Sequence, residues 1–150
     1  MNPTVQQVSL PNLIQEDHRA ILHLFDELKI AGVTRRVDRQ DVLSRRLCAH
    51  FAAEEETMYV EVANVAGMAE AITRARDEHA RMKAMLERIE VDHSSFNDQL
   101  AVLRISFEVH IGQEENSFLP ALLRETKAGV DTLGLEWTDA LQRAAGSSGV

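Results

Sequence analysis

Four stretches of this chain repeat apolar residues every three or four positions, and each repeat is broken at an inward position by a histidine. A period between three and four is that of a helix burying one face. The first stripe reads Ile14, His18, Ile21, Leu22, Phe25, Leu28, and the second Leu43, Leu47, His50, Phe51, Glu54, Met58. The third is Ile72, Ala75, His79, Met82, Leu86, Ile89; the fourth is Leu100, Leu103, Phe107, His110, Glu114, Phe118. Four such helices with short links predict an all-α fold, an antiparallel up-and-down four-helix bundle with a short C-terminal extra helix. The 150 residues suit a single domain, with the bundle over about 12–120 and a C-terminal extension over 121–150.

The punctuation between stripes sets the expected boundaries. Residues 1 to about 11 read as an extended arm, and Asn12 with Gln15 as a capping box after Pro11. Gly32 ends the first helix, and Thr34, Arg35, Arg36 and Asp38 read as a turn. The second helix is expected over about 40–64, closed by Gly67. Asp92 to Ser95 interrupt the third and fourth helices, with Ser95 and Asp98 as a capping pair. Pro120 is expected to kink or end the fourth. Gly129 and Gly134 mark a loose connection before a short helix at 136–144, anchored by Trp137 and Leu141, and Gly146 opens a frayed tail. The outer faces show no obvious dimer stripe.

Composition removes several function classes. Sixteen basic against twenty-four acidic residues give a formal net charge of −8, the opposite of a nucleic-acid footprint. No apolar run reaches membrane-spanning length, and the N-terminus lacks a basic segment followed by an apolar one, so a cytoplasmic location is the default. The single Cys48 excludes an internal disulfide and any Cys-rich zinc or iron–sulfur site. Met58, Met68, Met82 and Met85 read as core or surface filler.

The chemistry lies in the residues that interrupt the stripes. His18, His50, His79 and His110 fall on four different helices, and two carry a glutamate one turn later, Glu54 after His50 and Glu114 after His110. Side chains four apart on a helix lie one above the other, so each pair presents nitrogen and oxygen at one place. A lone histidine on an apolar face is usually a satisfied core residue, but this coincidence recurs on four consecutive helices. Buried without partners, six such groups would be costly, and metal coordination resolves the cost. Imidazole and carboxylate together suit iron, manganese or zinc better than calcium or copper(I). His23 lies beside its stripe and His93 in a loop, so neither joins the set.

At these residues the chain resembles the bacterial hemerythrin-like, or HHE cation-binding, family. The matching pieces are DHRAIL around His18, HFAAEEETMY from His50, DEH ending at His79 and HIGQEENSFLP from His110. The resemblance implies two non-haem iron ions, ahead of manganese or zinc, joined by an oxo or hydroxo bridge. It implies that His18 and His50 hold one iron, His79 and His110 the other, and that Glu54 and Glu114 bridge them. The oxygen carriers of that family have a further histidine one turn before the third, where this chain has Ala75. Their last carboxylate also follows its histidine by five residues, where Glu114 follows His110 by four.

The second iron is therefore expected to have an open position, or to recruit water or a nearby side chain such as Glu55, Glu78 or Glu115. That opening points to a catalase-like reaction with hydrogen peroxide, with no catalytic residue beyond the metal ligands. The competing expectations are binding or sensing of oxygen, nitric oxide or iron, a part in iron–sulfur repair, and a metal-stabilised interaction module without turnover. Small molecules are the expected partners, with neither nucleic acid nor membrane among them.

Overall fold

The structure, a computed structural model, describes residues 9–125 and 129–148. Its helices are α1 (Leu10–Ile30), α2 (Val33–Glu56), α3 (Met58–Ala63), α4 (Ala69–Arg88), α5 (Phe96–Gln113), α6 (Leu119–Glu125) and α7 (Val130–Ser148), with a π-helical turn at Glu114–Phe118. Four antiparallel legs make the expected bundle: α1, then α2 with α3, then α4, then α5 with the π turn and α6. The added helix α7 lies against α2 and α1. None of the helices is long and apolar enough, over the described residues, to cross a membrane.

Several boundaries differ from expectation. The expected N-terminal arm falls mostly on residues 1–8, outside the described residues. Helix α1 already begins at Leu10, with Ser9 at its N-cap and Pro11 in its first turn, so Asn12 and Gln15 are helical and form no capping box. Gly32 does not close α1 in a left-handed turn; with φ −65° and ψ 155° it is the N-cap of α2. The residues expected as a turn, Thr34 to Asp38, are the first turns of α2. Tertiary contacts hold them helical: Arg36 donates to the Val91 carbonyl at 2.8 Å and stacks over the Phe96 ring.

Gly67, at φ +83°, does make the left-handed turn between α3 and α4. Ser95 occupies the N-cap of α5, but not as a capping pair with Asp98. Its N–H donates to His93 Nδ1 at 3.0 Å, and its hydroxyl lies 2.7 Å from the same nitrogen.

Two irregularities shape the interior. At Thr57 (φ −118°, ψ −87°) the second leg breaks, and the Thr57 hydroxyl donates back to the Ala53 carbonyl at 2.7 Å. The break re-aims the next turn, so that Met58, Tyr59 and Val62 are all buried while Val60 is exposed. Pro120 does not end the fourth leg, which continues to Glu125. The π turn just before it, closed by the Leu119 N–H on the Glu114 carbonyl, widens the backbone where a proline N–H would be missed. The C-terminal helix is longer than expected, with Gly134 inside it and Gly146 still helical.

The core is two apolar clusters rather than one. Ile14, Ala53, Met58, Ile72, Phe118 and Trp137 belong to the first. Ile21, Leu47, Phe51, Met82, Leu103 and Phe107 belong to the second. Between them, on every leg at the same height, lies a band of buried His and Glu side chains.

Trp137 is the main anchor of α7, 2% exposed and edge-on to His50 at 5.2 Å between ring centres. Trp137→Ala is expected to cost about 3–5 kcal/mol, as for other large-to-small core changes. Urea unfolding at fixed metal content checks this, and a loss below about 1 kcal/mol would mean that α7 is not integral to the fold.

Candidate metal centre

The six residues singled out in the sequence converge. His18, His50, Glu54 and Glu114 form one group of potential ligands, and Glu54, His79, His110 and Glu114 form a second, each with its donor atoms within 4.8 Å of one another. The two carboxylates belong to both groups. Glu54 Oε2 lies 3.1 Å from His50 Nε2 and 3.5 Å from His18 Nε2, while its Oε1 lies 3.2 Å from His79 Nε2. Glu114 Oε1 lies 3.1 Å from His18 Nε2, and its Oε2 3.1 Å from His110 Nε2. Each carboxylate thus offers one oxygen to each half of the site, as bridging ligands do.

The arrangement fits cations better than internal hydrogen bonds. The Nε2 atoms of His18 and His50, both oxygens of Glu54 and Oε1 of Glu114 are buried without any hydrogen-bond partner. In the other half, His79 Nε2 and His110 Nε2 face each other at 2.9 Å. Inward donor atoms left unsatisfied in an apolar core carry a penalty that a coordinated metal removes.

The outward nitrogens are satisfied, and each by its own carboxylate. The Nδ1 of His18 donates to Glu115 at 2.7 Å, of His50 to Asp17 at 2.7 Å, of His79 to Glu55 at 3.1 Å and of His110 to Glu78 at 2.7 Å. This pattern fixes the tautomer that leaves Nε2 free to face inward. Glu55, Glu78 and Glu115, expected as candidates for the open position, stand instead behind the histidines. Asp17 was missed: it adjoins His18 in sequence but serves His50, and Arg46 clamps its other oxygen.

The other missed residue is Tyr59, the single tyrosine of the chain. Its hydroxyl donates to Glu114 Oε2 at 2.6 Å and lies 2.9 Å from His79 Nε2 and 3.1 Å from His110 Nε2. A phenol thus stands against the His79–His110 half, in the same apolar cluster as Ala75. The helical period continued through Glu54 and Met58 turns position 59 away from the site; only the break at Thr57 brings it in. Its sequence signal is slight, a lone tyrosine five residues after a candidate ligand.

Aromatic rings pack the imidazoles from both sides. Phe51 stacks on His79 at 3.9 Å between centres, and Phe107 meets His18 and His50 edge-on. His23 and His93 are exposed and take no part, as expected.

The electrostatics describe the metal-free state. Burial alone would push His18 down, but Glu114 and Glu54 against its inward nitrogen carry it up to about 10. His110 rises likewise to about 9, burial being outweighed by Glu114 and Glu54. His50 is also raised, since Glu54 and Asp17 overcome its burial. Glu54 is lowered well below the usual range despite full burial, by the histidines around it, and Asp17 is lowered despite burial by His50 and Arg46. Burial, then Glu114 and Glu54, raise Tyr59 far up, so it is a neutral phenol without metal. Protons held on His18, His50 and His110 against the two carboxylates thus stand where metal charge would, and metal uptake must displace them.

A bundle with two overlapping His/Glu groups sharing two carboxylates defines a class, the helical proteins with a binuclear metal-binding core. The hemerythrin HHE cation binding domain matches residues 9–122 of this chain, and the chain belongs to that family. A crystal structure of a hemerythrin HHE cation binding domain-containing protein from Mycobacterium kansasii, described as an Rv2633c homolog, shares the fold. It superposes with a TM-score of 0.80 at 23% identity, covering 93% of this chain and 88% of that one. No curated protein matches the chain.

Two predictions follow from this geometry. Without metal, raised His18 and His110 add stability that is full below pH 6.5 and lost as pH rises through about 9 to 10. Lowered Glu54 adds stability that is present above pH 4.5 and lost on acidification. The Tm of chelator-treated protein should therefore be highest between these limits and fall on both sides; a flat alkaline limb would contradict the assignment. Asp17→Ala should weaken metal binding about 10–100-fold in chelator competition, and more than Glu115→Gln, because the Glu115 carboxylate behind His18 is itself a third exposed.

Proposed function

We propose that this chain is a non-haem diiron protein that takes up a small ligand, dioxygen, nitric oxide or hydrogen peroxide, at the iron held by His18 and His50. The observation that carries the proposal is the unequal donor count of the two halves. Both share Glu54 and Glu114, but Tyr59 adds a fifth protein donor on the His79–His110 side. With Tyr59 as a donor there, the His18–His50 half would be the one left with fewer protein donors.

When bound, an iron pair supplies Lewis acidity and electrons to a small ligand. The protein's residues set the conditions. Phe107 packs edge-on against His18 and His50, and Trp137 against His50, so these imidazoles are walled by apolar rings. All six side chains are at most 2% exposed, which favours a small ligand over a bulky organic substrate. Glu54 and Glu114 would hold the spacing, and Tyr59, which donates to Glu114 in the metal-free protein, would release that proton together with the imidazole protons on metal uptake. Membership of the hemerythrin family favours iron, while the mixed donor set suits iron, manganese or zinc alike.

Decomposition of peroxide is the enzymatic form of this reading. Its first motive, a vacancy beside Ala75, is weakened by Tyr59 on that half, so ligand binding is the stronger form. Purified protein should carry close to two irons per chain, and its ferric form should show a visible phenolate-to-iron absorption that Tyr59→Phe abolishes while both irons remain. One zinc per chain, or no redox-active metal in a stable fold, would overturn the diiron reading. Oxygen evolution from added peroxide would establish turnover; reversible spectral change with oxygen or nitric oxide and no turnover would establish a carrier or sensor.

A further inference from the structure

The outer face of α5, opposite the core, carries an apolar stripe. Val102, Ile105 and Val109 recur at helical spacing and are 54%, 62% and 69% exposed. Beside them a groove between α4 and α5 is lined by Glu78, Arg81, Met82, Met85, Ile105 and Val109, among others, with a volume of about 380 Å³. It continues past Met85 to Arg88, Asp98 and Val102. A run of this kind on a surface helix marks an interaction face rather than scattered exposure.

We propose that this face is a two-fold interface with a second copy of the chain. Each end carries both signs, Glu78 with Arg81 and Arg88 with Asp98, and the placing of Glu78 and Arg88 favours that occupant. Glu78 stands at the end near His110, one oxygen donated to by that histidine and the side chain 33% exposed. Arg88 stands at the opposite end and, among the described residues, makes no ion pair. A two-fold axis across the helices runs α5 antiparallel to its copy and sets each Glu78 against the other copy's Arg88.

The register required by each helix is the same. Glu78 and Arg88 lie equally far on either side of Lys83, and Val102 and Val109 nearly so of Ile105. Met82, Met85 and Ile105 line one groove, so the midpoints of the two helices stand at one height. One axis therefore satisfies the apolar stripe and the charged ends together, as a self-complementary interface must. The pairing would also cover Glu78, the carboxylate behind His110, and so shield that outer edge of the metal centre from solvent.

Sedimentation equilibrium of the full chain tests the interface. The native chain should dimerise. Ile105→Glu, at an exposed position, should remain helical by circular dichroism and weaken the dimer by about tenfold or more, and so should Arg88→Glu, which faces Glu78 of the copy. In a Cys48→Ser background, Ile105→Cys should form a disulfide-linked dimer on mild oxidation, because Ile105 meets its own copy near the axis. A native chain that stays monomeric, including one that instead binds lipid vesicles, would overturn the proposal. So would a dimer indifferent to Ile105→Glu and Arg88→Glu, or one that Ile105→Cys fails to cross-link.

Discussion

Two carboxylates, Glu54 and Glu114, are buried completely between two apolar clusters, and the rest of the molecule is arranged around that fact. An ionised carboxylate in such a place must be neutralised nearby. Four imidazoles, one from each leg, turn their inward nitrogens toward the pair. Without metal, protons held on His18, His50 and His110 offset that charge; with metal, cations would. The same cage therefore serves two states, and the exchange between them is what couples metal occupancy to pH.

The constraint propagates outward. An imidazole aims its inward nitrogen only if its outward one is held, and four carboxylates do this holding. Three of the four are partly exposed, while Asp17 is buried and takes its balancing charge from Arg46. The His18–His50 half is lined by Phe107 and Trp137 and the other by Phe51 and Tyr59. Two His/Glu groups of the same composition are thus unequal in their walls.

Much of this was legible beforehand because it is periodic. A helix repeats every 3.6 residues, so His50 and Glu54, or His110 and Glu114, share a face whatever the rest of the chain does. The four inward histidines and both carboxylates came from that regularity, as did the bundle. What escaped lies where regularity fails or contacts are distant. Tyr59 enters because the helix breaks at Thr57. Asp17 was invisible as a support because its partner is on another helix, 33 residues away. The turn expected at Thr34 to Asp38 is helical because Arg36 finds Val91 and Phe96 across the bundle.

Sequence alone determined the fold class and the six inward polar residues, since both follow from local spacing, which is the same in any helix. Tertiary structure decided how the legs stand against one another, and therefore everything that depends on distance between them. It made Glu54 and Glu114 common to both groups, placed Glu55, Glu78 and Glu115 behind the histidines, and set the Tyr59 phenol against His79 and His110. Those are relations between helices, set by packing and by one backbone break, and no period within a single helix encodes them.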